Sequence, residues 1–233
     1  MKKCLLLLAL LSAQIVSAQK FGPKSKIGYV FSTDACYRTL SASSSDVGFV
    51  ASTRNSMEIP RIGFTTGVSY VYGFGHFAVE TGVQYSSKGE QTNFYPLNYQ
   101  MPEAGAPTEA KFIYKYNYVD VPWKLLYNFK LANVNFFVST GASANIFIND
   151  NTIAIKRYAN GSEIKSSSGS AYDYSAVNYA AIASFGVELS LLKDKARLRI
   201  EPIYRQSVTS IIDAPIKGYL YSSGINAGIF VGL

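Results

Sequence analysis

Charged side chains recur two residues apart along parts of this chain, as in Arg197, Arg199, Glu201 and Arg205. That spacing puts them on one face of a β-strand. Arg61, Glu80, Lys88, Asp120, Lys124 and Glu188 occupy the same kind of position in other alternating segments, giving six cations and four anions in all. Such a set can supply catalytic carboxylates, a charge filter or a structural salt-bridge network. Other candidates for chemistry are few. The single histidine, His76, follows Gly73-Phe74-Gly75 in what reads as a tight turn, so the bland reading is a turn residue rather than half of a catalytic pair. Cys4 and Cys36 are the two thiols, with neither the number nor the spacing of a cysteine metal site. Asn149-Asp150-Asn151 lacks the spacing of a calcium loop, and Gly73-Phe74-Gly75 precedes no helix that would cradle a phosphate. No metal and no cofactor is expected.

The elements that carry these residues follow from composition and period. Of 233 residues, 48% are apolar and only 16% charged, with 18 Tyr, 14 Phe and 18 Gly. This mixture favours strands and excludes disorder. Met1-Lys2-Lys3, the apolar run from Leu5 and the small residues Val16-Ser17-Ala18 form a secretory signal, with cleavage expected between Ala18 and Gln19. Residues 1–18 are thus a signal peptide and 19–233 one domain. Cys4 leaves with the signal. No later run reaches the ~18 apolar residues of a membrane-crossing helix.

Eight segments alternate with period two: about 26–38, 61–73, 77–88, 111–128, 134–148, 177–190, 197–205 and 219–233. The first is the least regular, and the fourth alternates less cleanly over Lys111–Tyr118. Connections at Gly73–His76, Lys130–Asn133 and Leu192–Lys195 are tight, whereas Thr39–Glu58, Gln91–Ala110 and Asn149–Asp173 are long and polar. Short turns at one end, long loops at the other and an even strand count are the pattern of an eight-stranded, antiparallel, up-and-down transmembrane β-barrel. The strand faces that are nearly free of charge must meet lipid. The faces holding the ten charges form a filled polar lumen, and an eight-stranded barrel is only wide enough for its own side chains. Unpaired charges there would carry a heavy desolvation cost, so the structural network is the favoured reading. Outward aromatics fall at the two expected interfaces, Tyr70, Tyr72, Phe77, Tyr127, Phe129 and Phe136 at one and Tyr85, Tyr179, Tyr219 and Tyr221 at the other. Pro122 and Pro202 lie inside strands that have no free edge, which predicts a bulge at each.

Gly63-Phe64-Thr65-Thr66-Gly67-Val68, Glu80-Thr81-Gly82-Val83-Gln84-Tyr85-Ser86-Ser87-Lys88-Gly89 and Tyr118-Val119-Asp120-Val121-Pro122-Trp123-Lys124-Leu125-Leu126-Tyr127 resemble the small outer-membrane β-barrel family of Bacteroidota, the PorT-like or porin-family proteins. The ending, with Asn226, Gly228, Val231 and Leu233 in an alternating apolar frame, is similar to the C-terminal signal read by the barrel-assembly machinery. It closes on Leu where aromatic endings are common. The resemblance implies outer-membrane localisation, with outer-membrane lipid and the assembly machinery as partners and a secretion or uptake complex as a further candidate. It implies no single activity.

The expected function is therefore a non-enzymatic envelope component that is structural, surface-binding or accessory to secretion or uptake. A narrow passive pore is the alternative, and a lipid-modifying outer-membrane enzyme a weaker one. The formal charge of +7 is consistent with this reading once it is partitioned. Loss of Lys2 and Lys3 leaves +5, divided as −3 on the outer loops, +2 in the lumen, +5 at the periplasmic end and +1 at strand ends. The basic balance is thus a polarity across the molecule, and nucleic acid drops out as a partner.

Overall fold

The structure, a computed structural model, describes residues 24–99, 105–131, 134–169, 173–191, 195–212 and 214–233. The expected cleavage point at Ala18 and Gln19 lies outside them. Ten strands follow in order: β1 (Ser25–Ala42), β2 (Glu58–Phe74), β3 (Phe77–Thr92), β4 (Tyr95–Pro96), β5 (Glu109–Leu131), β6 (Val134–Arg157), β7 (Glu163–Ser168), β8 (Val177–Leu191), β9 (Ala196–Ser207) and β10 (Ile216–Gly232). All pair antiparallel, and eight of them close a ring in the order β1-β2-β3-β5-β6-β8-β9-β10. The seam pairs β1 with β10 from Lys26↔Gly232 to Ala42↔Ile216. Closure removes the unpaired edges that an open sheet would present.

Alternation decides which face is which. Along β1, Lys26, Val30, Ser32, Asp34, Cys36, Arg38 and Leu40 are buried inside, while Ile27, Tyr29 and Phe31 point out and are exposed. The strand alternates without a fault. Its sequence reads as irregular because the inner face mixes Val30 and Leu40 with charges, so hydropathy blurs where geometry does not. Outward residues elsewhere, among them Val68, Val83, Trp123, Phe185, Ile225 and Ile229, are likewise exposed on the isolated chain. This belt needs lipid to cover it. No helix among the described residues is long and apolar enough to cross a membrane.

The expected bulges at the two prolines are not found. The β3–β5 register is the same at Thr81↔Trp123 and Gln84↔Asp120, with no pairs between them, and Pro122 pairs in register with Ser143 on its other side. Pro202 likewise pairs with Ile225, while the β8–β9 ladder skips from Ser184↔Ile203 to Val187↔Ile200 without a shift. An antiparallel residue turns its N–H toward one neighbour only, so a missing donor opens a gap on one side and leaves the other intact. Register shifts occur instead between Pro60 and Phe64 in β2 and between Asn117 and Tyr118 in β5.

Two of the long connections are more ordered than their composition predicts. Between β1 and β2 a 3-10 turn (Ser45–Val47) leads into a helix, α1 (Gly48–Met57). Asn55 fastens α1 by receiving the Leu40 N–H and donating to the Leu40 carbonyl, both at 2.9 Å, and Tyr37 donates its hydroxyl to the Asn55 carbonyl. The second is Asn149–Asp173, whose first part carries β6 on beyond the ring in pairing with β5. Ring pairing ends at Gln91↔Ile113 on one side and Ile146↔Val177 on the other, yet β5 and β6 stay paired as far as Glu109↔Arg157. From Ile146 to Arg157, β6 thus runs roughly 35 Å past the ring at ~3.3 Å per residue. Beyond the ring, β4 adds to β5 and β7 adds to β6, making a four-stranded outer sheet. At the opposite end, Gly75 in the β2–β3 turn takes φ 69°, a left-handed conformation that glycine adopts without strain.

Candidate functional site

The inward face of the ring is the densest chemistry in the molecule. Its buried ionisable residues are seven cations (Lys26, Arg38, Lys88, Lys124, Arg197, Arg199, Arg205) and seven carboxylates (Asp34, Glu58, Glu80, Glu90, Asp120, Glu188, Glu201). Nine of the ten residues singled out from sequence are among them. The tenth, Arg61, is only partly buried and donates to the Lys88 carbonyl at 3.1 Å.

Near the short-turn end the charges form one connected chain. Lys26 of β1 donates to both oxygens of Glu188 at 2.6 and 2.9 Å, and Arg197 and Arg199 of β9 reach the same carboxylate at 3.2 and 3.1 Å. Arg199 continues to Glu80 of β3, whose other oxygen lies 2.9 Å from Lys124 of β5. Lys124 then meets Glu201 at 2.8 Å, and Asn226 of β10 donates to that same oxygen at 3.3 Å. The Arg199 guanidinium also lies over two rings, 4.4 Å from the centroid of Phe230 and 4.8 Å from that of Phe137. Close approach is needed here: a Cβ on Gly186 would sit 2.8 Å from both Phe137 and the Cβ of Glu201. At mid-height, Arg205 pairs with Asp34 at 3.0 Å and Lys88 with Asp120 at 2.9 Å. Asp34 also accepts from Ser32 at 2.6 Å and Thr65 at 2.7 Å.

At the long-loop end, Arg38 joins Glu58 at 2.6 Å, Glu90 at 2.9 Å and the Tyr116 hydroxyl at 2.8 Å. Arg54 of α1 reaches Glu58 from outside at 3.2 Å, tying the helix to the lumen.

Two apolar clusters are packed among these charges, one toward each end of the barrel. Val30, Val71, Ala78, Leu126, Phe137 and Phe230 form a cluster toward the short turns. Tyr116, Tyr118, Ile211, Ile212 and Leu220 form another toward the loops, with Tyr114, Phe147, Tyr174 and Ala214 packed against it. The second is built from a loop: Ile211 donates its N–H to the Gly218 carbonyl and accepts from the Ser175 N–H, each at 2.9 Å. The lumen is therefore filled from end to end, with charged networks and apolar clusters interleaved along it.

Five of the buried charges were not read from sequence as lumen residues. Lys26, Asp34 and Arg38 lie in phase inside the first alternating segment, where irregular hydropathy hid the inner face, and Glu90 lies in phase two residues beyond the third. Glu58 was not legible, because the register shift between Pro60 and Phe64 breaks the phase that would connect it to Arg61. These reassignments take Lys26 from the periplasmic rim and Glu58 from the outer loops.

The other candidates stand apart from this column. The His76 ring stacks on Tyr127 and its Nδ1 lies 3.1 Å from the Asn128 carbonyl, at the end opposite the long loops. Cys36 is buried. Among the described residues no three His, Cys, Asp or Glu side chains are placed to hold a metal. Of the C-terminal residues, Asn226 points inward to Glu201, Gly228 lies against the Phe230 ring, and Val231 and Leu233 are exposed on the outside.

A family model described as an outer membrane protein beta-barrel domain matches residues 18–213. No curated protein matches the sequence. Similar solved structures include Neisserial surface protein A, at 13% identity over 90% of this chain and 97% of that chain with a TM-score of 0.49. OprG from Pseudomonas aeruginosa is similar at 10% identity over 91% and 97%, with a TM-score of 0.49. Ail of Yersinia pestis, crystallised with the heparin analogue sucrose octasulfate, is similar at 11% identity over 89% and 99%, with a TM-score of 0.33.

Proposed function

The chain belongs to the family of outer membrane protein β-barrel domains, and from that premise we propose that it is a non-enzymatic, non-conducting surface protein of the outer membrane that acts through its long-loop end. The observation that carries this reading is the filling of the lumen from end to end. A solute would have to displace the Phe137 and Phe230 cluster, several shared ion pairs and the Ile211 and Ile212 cluster in turn. The charges serve as a structural network because they cross-link strands that are not neighbours in the ring. Lys26–Glu188 joins β1 to β8, and Arg199–Glu80 joins β9 to β3. Refolded protein in planar bilayers is expected to give no stepwise current, and discrete conductance steps would overturn the closed-lumen reading.

Within the family, the PorT-like subgroup of Bacteroidota is the assignment we favour, on Tyr118-Val119-Asp120-Val121-Pro122 and its neighbours. The periplasmic end is then the short-turn end, which holds the first and last described strands. A signal peptide cleaved before Gln19 and an assembly signal at Asn226, Gly228, Val231 and Leu233 complete the route to the membrane. Sequencing the N-terminus of protein purified from outer membranes is expected to start at Gln19. A start at Met1 would reject the signal. The candidate partners are outer-membrane lipid, the barrel-assembly machinery and a secretion or uptake complex docked on the loops.

A further inference from the structure

The outer sheet has two faces, and the period of β5 says which is which. Trp123 and Leu125 point outward into the exposed belt, and with no register shift against β3 the same phase carries on to Lys115, Ile113 and Lys111. Opposite them on β6 and β7 stand Asn151, Ile153 and Ile155, then Ser167 and Lys165. The result is an outward face with isoleucines at its centre and Lys111, Lys115 and Lys165 around them. Its two carboxylates, Glu109 and Glu163, are both held by Arg157, at 2.8 and 3.0 Å. Lys111, Lys115 and Lys165 make no ion pair among the described residues. This face is therefore net positive and continuous with the lipid-facing wall below it. Lys115 is four residues above Val119, roughly 13 Å along the strand, and Lys111 is about the same distance further on. Val119 pairs with Tyr85, so Lys115 is the cation nearest the apolar belt, and Lys111 and Lys165 stand level with each other further out.

From this geometry we infer that the outward face of β5, β6 and β7 binds the phosphate groups of an outer-leaflet lipid. Lys115 meets the headgroup nearest the apolar belt, and Lys111 and Lys165 flank Ile155 above it. The inference rests on the long-loop end being extracellular. Anionic headgroups attract basic residues placed just beyond the acyl region, and a point-charge ammonium on a flexible stem suits a phosphate whose position varies.

The test uses the full chain in phosphatidylcholine nanodiscs, titrated with fluorescent bis-phosphorylated lipid A, with its dephosphorylated form, or with inorganic phosphate as competitor. The variant combining Lys111→Gln, Lys115→Gln and Lys165→Gln is expected to keep the folded gel mobility and to lose on the order of a hundredfold in affinity for the phosphorylated lipid. Lys165→Gln alone is expected to lose about fivefold. Undiminished binding by the triple variant, equal binding of the dephosphorylated lipid, or full competition by inorganic phosphate would each overturn the inference. Orientation is read separately by labelling Ser162→Cys on whole cells with an impermeant maleimide. Absence of label overturns the orientation, whereas label with undiminished lipid binding overturns the lipid site alone.

Discussion

Neutralising one carboxylate, Glu188→Gln, is expected to remove about 3–5 kcal/mol of barrel stability, the scale found when one partner of a buried ion pair is lost. Glu188 is shared by Lys26, Arg197 and Arg199, so its buried charge faces three cations beside the Phe137 and Phe230 cluster. Without it those cations repel one another with no water to screen them. At a denaturant sensitivity of about 2 kcal/mol per molar, the urea midpoint of the refolded protein should fall by roughly 2 M. Adding Lys26→Met should recover part of the loss, because it removes a cation whose carboxylate is already gone. An unchanged midpoint in Glu188→Gln would mean that the lumen charges are hydrated, and the closed-lumen reading would fall with it.

Arg38→Met is expected to act at the opposite end, with a similar cost of about 3–5 kcal/mol and an added local effect. Arg38 separates Glu58 from Glu90 and also binds the Tyr116 hydroxyl, so it joins β1, β2, β3 and β5 across the barrel. Its loss leaves two carboxylates facing one another, with Arg54 alone reaching Glu58. Segment 45–57 should then be cut by protease faster than in the parent protein, since the Glu58 carboxylate is one of the few anchors of α1. Glu90→Gln in the same background should restore much of the stability by removing the repulsion. Parent-like stability and cleavage in Arg38→Met would refute the anchoring role.

The barrel itself was legible because strand geometry imposes a period of two wherever one face meets lipid. Segment 77–88 shows that period directly in residue type. The pattern fails where the inner face turns apolar, as at Val30, Phe137 and Phe230, since hydropathy then no longer distinguishes the two sides. Strand ends are a second limit. Glu90 takes part in the lumen only because β3 continues to Thr92, past the end of the alternation at 88, and a chain gives little local sign of where its partner strand stops. Helix α1 is hidden for another reason: a polar ten-residue segment has weak helical preference of its own, and contacts to Leu40, Tyr37 and Glu58 hold it. Strand β7, Glu-Ile-Lys-Ser-Ser-Ser, forms on the template of β6 and shows no alternation to read. The prolines misled because a gap on one side of a strand satisfies the same steric need as a bulge.

The seam between β1 and β10 fixes the order in which the molecule can be made. The first and last strands of the described chain are each other's partners along almost their whole length, so no intermediate that lacks either one can seal its edges. Pairing so distant in sequence carries the largest loop-closure entropy in the fold and is the slowest contact to form. Until it forms, two long rows of unsatisfied N–H and C=O groups remain open, which lipid cannot hydrate. Ring closure is thus the step that satisfies the last open edges, and a chain short of β10 leaves the edge of β1 exposed.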